Sequence, residues 1–220
     1  MLALDGIRVI DWTIYQAGPV ASEMLGDFGA EVIKVEQRGV GDPGRAFITT
    51  SGVRTRLAGD RNYYFETNNR NKKSITLDLT KPQAKEVMRR LVEKSDVFVQ
   101  NYRQGIAEKY QLDYESLRSI NPLIIYASAT GLGENGPESH RPAMDPVGIF
   151  RTGFGHLGKM LDAEPVYAPG GLADQVNAWS LAYGIIMALL ARERHGIGQK
   201  VTSSFLSSMM WLQGLALGAY

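Results

Sequence analysis

Short apolar and β-branched runs recur along the chain, and stretches with helical spacing lie between most of them. Residues 7–11 (IRVID) read as a strand. Pro19 opens a helical stretch to Phe28, and Gly29 closes it, the usual placing of Pro near a helix start and Gly just past its end. Residues 31–35 (EVIKV) form the next strand. A strand–helix–strand unit of about thirty residues predicts a right-handed βαβ crossover. Residues 37–73 are polar, rich in Gly and Arg, and without period. A loop of that length in a compact domain is functional or disordered.

Regularity returns at residues 74–79. Thr80-Lys81-Pro82 starts a helix through Lys94, with Val87, Met88 and Leu91 at helical spacing. Residues 96–100 and 123–127 read as strands, with a short helix at 114–120 between them. Residues 130–171 are rich in Gly and Pro and show no period. A long helix is predicted over 175–194, a strand over 199–203 and an apolar helix over 205–220. The alternation predicts an α/β fold with a parallel sheet and helices on both faces, undivided by any internal boundary or repeat.

Composition narrows the class. With 44% hydrophobic and 21% charged residues among 220, the chain can bury a core, which excludes general disorder. Its 24 basic and 23 acidic residues give a net charge of +1, excluding a nucleic-acid binder that works by bulk charge. Cysteine is absent, so no disulfide, thiol nucleophile, iron–sulfur cluster or cysteine-ligated zinc is possible, and a reducing cytoplasm is the natural compartment. Residues 1–11 carry charge early and lack a signal-peptide core. The longest apolar stretch, 178–191, contains Ser180 and Gly184 and is too short for a membrane span, so it reads as a buried helix. Charge is unevenly placed: residues 54–109 hold 13 basic and 7 acidic residues, a surplus of +6, which leaves 11 and 16, or −5, elsewhere. Such a stretch is either a solvated face or a site for an anionic ligand, most simply one carrying phosphates.

Gly131-Leu132-Gly133-Glu134-Asn135-Gly136 matches G-x-G-x-x-G and follows a strand. The dinucleotide fingerprint needs a helix to begin there, and Pro137 and Pro142 argue against one. A flexible glycine loop that closes over a substrate is the better reading. His140, His156 and His195 have neither i, i+3 nor i, i+4 spacing, so the sequence points to no metal site. No G-x-S-x-G elbow supports a serine nucleophile. Asp174, in the run GGLADQ before the long helix, has the position of an N-cap. Its carboxylate would there accept the first free N–H groups, and the helix dipole would hold it ionised.

Several segments together resemble the class III (family III) CoA-transferases, the group of formyl-CoA transferase, carnitine CoA-transferase and the α-methylacyl-CoA racemases. They are residues 4–11 (LDGIRVID), 16–19 (QAGP), 27–36 (DFGAEVIKVE), 71–79 (NKKSITLDL), 96–103 (DVFVQNYR), 121–128 (NPLIIYAS) leading to Gly131-Leu132-Gly133, and 196–201 (GIGQKV). The matches run in order over nearly the whole chain, which makes the resemblance specific where no single one would.

The resemblance implies a Rossmann-like large domain, a CoA thioester substrate, a carboxylic acid as second substrate and an interlocked homodimer. It implies no tightly bound cofactor, coenzyme A being a cosubstrate, and neither nucleic acid nor membrane as partner. Family chains are longer. Residues 1–200 then correspond to the N-terminal part of the large CoA-binding domain, and 201–220 to its last strand and the start of a crossover towards a small domain. The uncharged run 205–220 fits burial against another chain.

The family's catalytic aspartate falls on Asp174, which displaces the cap reading. Gln16 matches a glutamine that lies by the acyl group, where its amide could donate to a developing oxyanion. CoA contacts map to Gln37 or Arg38, Leu77, Asn101, Tyr102, Ile106 and Lys109. Gln37 stands where relatives can have an arginine, a role left to Arg38 or Arg103. Lys109 replaces an arginine, keeping the charge but losing the bidentate fork. The racemase branch uses a histidine at the position of Met144, just before Asp145. Methionine carries no proton, and His140 is four residues away, so CoA transfer is favoured over racemisation. A fragment that binds CoA without turnover is the alternative outside enzymes.

Overall fold

The computed structural model describes residues 1–50, 52–157 and 164–219. Six strands form one parallel sheet: β1 (Arg8–Trp12), β2 (Glu31–Gln37), β5 (Lys72–Leu77), β6 (Val97–Gln100), β7 (Ile125–Thr130) and β8 (Gln199–Ser204). Their order across the sheet is β5-β2-β1-β6-β7-β8, and every neighbouring pair is parallel. By sequence rank among the six this is 3-2-1-4-5-6, the doubly wound order of the Rossmann fold. A two-stranded antiparallel ribbon, β3 (Thr49–Thr50) with β4 (Val53–Arg54), stands apart from it.

Helices cover both faces. On one, α1 (Ala17–Asp27) and α7 (Leu172–His195) bury Val20, Leu25, Leu181 and Ile185 against Val9, Val97 and Ile125 of the sheet. On the other, α3 (Pro82–Glu93), α4 (Ile106–Tyr110) and α5 (Tyr114–Ile120) bury Met88, Val92 and Leu117 against Ile10, Phe98 and Ile124. Strands buried on both faces need apolar residues on both, which is why they read as unbroken apolar runs. A third cluster joins α6 (Asp145–Arg151), the start of α7 and α8 (Phe205–Leu212). Gly148 makes this junction close, because a Cβ there would come within 2.7 Å of the Ala173 side chain and 2.8 Å of Phe205. The short α9 (Gly214–Leu217) follows α8 in place of one continuous helix. Tyr220, the last residue of that predicted helix, lies outside the described residues.

Residues 37–73 are not a single loop. They contain a 3-10 turn (Pro43–Ala46), the β3–β4 ribbon, the one-turn helix α2 (Tyr63–Thr67) and the start of β5 at Lys72. Polar side chains rather than periodic apolar ones organise them. Asp42 caps the 3-10 turn, and Asn62 caps α2 while donating to the carbonyls of Arg45 and Phe47. The stretch after β7 likewise contains α6 and a 3-10 turn (Phe154–His156), while the G-x-G-x-x-G run stays in turns and starts no helix.

Candidate active site

Strand order reverses between β1 and β6, and doubly wound sheets take ligands outside the carboxyl ends of the strands at that point. A cleft of about 660 Å³ opens there. Its walls are the loop after β1, the segment after β6, the glycine loop after β7 and the first turns of α7.

The loop after β1 is held firmly. Asn101 grips Ile14 twice, accepting its N–H at 2.9 Å and donating to its carbonyl at 2.7 Å. Tyr15 follows at φ +64°, with its N–H donated to Asp42 Oδ1 at 3.1 Å. Gln16 is buried at the N-cap of α1, and its Nε2 donates to the Gly170 carbonyl at 3.4 Å. Gly171, at φ +76°, packs so closely that a Cβ would collide with the Gln16 amide. The positive φ favours glycine there, and its small size lets the loop after β1 lie against the entry to α7.

Asp174 lies on the first turn of α7 and lines the cleft, but it is not the cap. The helix starts at Leu172 with Gly171 at the N-cap, so Asp174 is the third helical residue and makes no cap hydrogen bond. Asp145 of α6 takes them instead. Its Oδ1 accepts from Ala173 at 2.6 Å and from Asp174 at 3.2 Å, while Oδ2 accepts the Tyr167 hydroxyl at 2.9 Å. The expectation that the helix dipole keeps Asp174 readily ionised is corrected as well. Burial and then the Asp145 charge push its pKa up to about 7, against the lowering effect of the Ala17 N–H. The hydroxyl of Tyr64 is also pushed up, first by burial and then by Asp174.

The other predicted residues divide into two groups. Asn101, Tyr102, Arg103 and Ile106 line the cleft, with the Tyr102 ring packed on Trp12 at 4.3 Å between centroids. Gln37, Arg38 and Leu77 meet one another at the carboxyl ends of β2 and β5, where Gln37 is in register with Leu77 and the Arg38 N–H donates to the Leu77 carbonyl. They lie outside the cleft wall, as does Lys109, exposed on α4 over the Tyr110 ring. Met144 and His140 both border the cleft. Sequence reasoning missed Asp145, Tyr64, Asn177 and Lys200 as site residues. Only Asp145 carried a local signal, an Asp-Pro pair able to open a helix.

The sequence profile of CoA-transferase family III matches residues 4–220. The chain belongs to this family. A probable fatty acyl-CoA transferase of Mycobacterium tuberculosis is 41% identical over 210 residues, covering 96% of this chain and 52% of that protein. The mouse succinyl-CoA:glutarate CoA-transferase is 40% identical over 215 residues, covering 96% of this chain and 47% of that protein. The crystal structure of a CaiB/BaiF family protein from Brucella suis superposes with a TM-score of 0.87 at 36% identity, covering 99% of this chain and 58% of that one. The chain thus spans about half the length of the curated relatives it matches.

Two further features of this family III chain bear on the cleft. The glycine loop is tied to β8 by Lys200, whose Nζ meets Glu134 Oε2 at 2.5 Å. The basic surplus of residues 54–109 is partly neutralised from outside the stretch: Lys72 pairs with Asp11, Lys73 with Glu31, and Arg70 with Glu23 and Asp27. To that extent the stretch is a paired face, while Arg103 stands at the cleft. Among the described residues no helix is long and apolar enough to cross a membrane.

Proposed function

We propose that this chain carries the CoA-handling half-site of an acyl-CoA:carboxylate CoA-transferase, with Asp174 as the nucleophile. The observation that carries the reading is the Asp174 carboxyl on the cleft, with the Ala17 N–H brought to it by the loop after β1 and Gln16 bonded to Gly170 just ahead of it in the chain. A carboxyl with a pKa near 7 is more basic than an ordinary aspartate, yet about half ionised at neutral pH. Both properties suit a carboxylate nucleophile.

The reaction divides into four exchanges. The Asp174 carboxylate attacks the donor thioester carbonyl, the C–S bond breaks, and CoA thiolate leaves behind a mixed anhydride. The thiolate attacks the aspartyl carbonyl of that anhydride and releases the donor carboxylate, leaving an aspartyl-CoA thioester. The acceptor carboxylate attacks this thioester and again frees the thiolate. The thiolate then attacks the acceptor acyl carbonyl and regenerates the Asp174 carboxylate. In this reading the Gln16 amide donates to the oxygen that becomes negative. Retention of the CoA by its distant nucleotide end keeps the thiolate close for recapture. In this reading Asn101, Tyr102, Arg103 and Ile106 hold the pantetheine arm along the cleft, and Gln37, Arg38, Leu77 and Lys109 form the outer nucleotide end. Met144 offers no proton at the racemase position, which supports transfer over racemisation.

The experiment uses the full-length protein. Incubated with acyl-CoA and treated with hydroxylamine or borohydride, it is expected to carry its modification on Asp174. Asp174→Asn is expected to lower transfer by several orders of magnitude, since it removes the bond-forming oxygen anion. Near-normal transfer by that variant, or trapping on another residue, rejects the assignment. Calorimetry on the same protein tests the nucleotide end: CoA affinity should weaken with salt, and Lys109→Ala should weaken it by roughly tenfold.

A further inference from the structure

Tyr15 holds a left-handed backbone directly before Gln16, a conformation that costs an aromatic L-residue energy unless its surroundings enforce it. Asn101 fixes the residue in front of it. Asp42 fixes Tyr15 itself, accepting its N–H at 3.1 Å and the Gly44 N–H at 2.8 Å on the same Oδ1. The other oxygen of Asp42 faces Lys34 Nζ at 2.8 Å, with both side chains 1% exposed. Lys34 also donates to the Thr13 carbonyl at 3.0 Å and lies 3.9 Å from Asp11. Asp11 pairs with Lys72 at 2.7 Å and accepts the Ser22 hydroxyl at 2.7 Å.

A line of alternating buried charges, Lys72–Asp11–Lys34–Asp42, therefore runs beneath residues 13–17. None of the four lines the cleft. Buried ion pairs add little net stability compared with apolar residues of the same volume, so holding the fold is a poor reason for four buried charges. Their contacts with residues 13–17 go to the Thr13 hydroxyl and carbonyl and to the Tyr15 N–H, the points that set the path into Gln16.

We propose that Asp42, aligned by Lys34, is a positioning residue that holds Tyr15 in its left-handed form, so that the Gln16 amide and the Ala17 N–H are presented to Asp174. The inference rests on the reading of Asp174 as nucleophile. Without the Asp42 acceptor, Tyr15 relaxes to negative φ and the chain beyond it turns away. Asp174 then loses its N–H donor and keeps only neighbours that disfavour its charge or leave it unchanged: Asp145 from α6, Tyr64 from α2, and Tyr167.

The single variant Asp42→Ala strands Lys34 in the interior and threatens folding. The informative pair in the full-length protein is Lys34→Met/Asp42→Asn against Lys34→Met/Asp42→Ala. Both lack the ion pair, and they differ in the acceptor offered to Tyr15. The Asn form should release CoA from acyl-CoA in a single turnover within about threefold of wild type. The Ala form should be about tenfold slower, the worth of one hydrogen bond, with KM for acyl-CoA unchanged and the pH–rate profile displaced to higher pH. Equal rates and profiles overturn the proposal. So does a rate difference that follows melting temperature with no displacement of the profile. Asp174→Asn measured in parallel separates the two readings. Retained turnover there rejects the nucleophile and this inference with it, whereas loss there with equal rates in the Asp42 pair rejects this inference alone.

Discussion

Asp174 is an acid made weak by its surroundings, and that has a consequence for folding. In the unfolded chain its pKa returns to near 3.8, whereas in the folded protein it is about 7. Between those values the folded form holds a proton that the unfolded form has given up. Stability therefore falls as pH rises through this window and levels off above it. Asp174→Asn removes the penalty, so it should be more stable than wild type by on the order of 2–4 kcal/mol at pH 8 and no more stable below pH 4. Urea titrations at the two pH values check this. The same variant should lose transfer, so stability and activity move in opposite directions. Asp174→Ala should not show a cap penalty, because the N–H groups at the start of α7 are bonded to Asp145.

At the scale of elements, α7 depends on α6 for its beginning. Helical periodicity was legible from residue 175 onward, but Leu172 and Ala173 follow two glycines and resemble loop. What extends the helix back to Leu172 is a carboxylate 28 residues earlier than the N–H group it accepts. Asp145→Asn keeps an acceptor for Ala173 and Asp174 and removes the negative charge. The helix should hold, the Asp174 pKa should fall, and the pH–rate profile should move to lower pH. Asp145→Ala loses the cap and should cost about 1–2 kcal/mol in thermal or urea melts. A profile unmoved by Asp145→Asn would mean that burial alone sets the Asp174 pKa. The same contrast explains residues 37–73, where one-turn elements stand on the side chains of Asp42 and Asn62 and leave no periodic trace.

At the scale of the whole molecule, two apolar faces stand open among the described residues. Along α7, Trp179, Tyr183, Met187 and Leu190 point outward at helical spacing, with the first two rings stacked 6.3 Å apart. On α8 and α9, Trp211 is 70% and Leu215 94% exposed. Contiguous apolar surface of this kind marks an association site. The 220-residue chain is expected to self-associate at micromolar concentration, read by light scattering. A clean monomer over that range would count against a dimer built on these faces.

The order of strands and helices, the parallel sheet and the place of the long helix were written locally, because a strand covered on both faces must be apolar on both and a helix between two layers must repeat its apolar residues. The segments shared with CoA-transferase family III pointed to Asp174, Asn101, Tyr102, Arg103 and Ile106, which line one cleft, to Gln16, which is bonded to Gly170 beside it, and to Gln37, Arg38, Leu77 and Lys109, which lie outside it. What local pattern could not carry is any property made by groups distant in the chain. Asp145 caps a helix from another element. A left-handed turn against Gln16 favours a glycine at 171. Lys34, Asp42, Asp11 and Lys72 look like ordinary surface charges until the sheet buries them under the loop they hold. A charge's partner, its solvation and hence its pKa depend on distances of a few ångströms, and folding alone sets those distances.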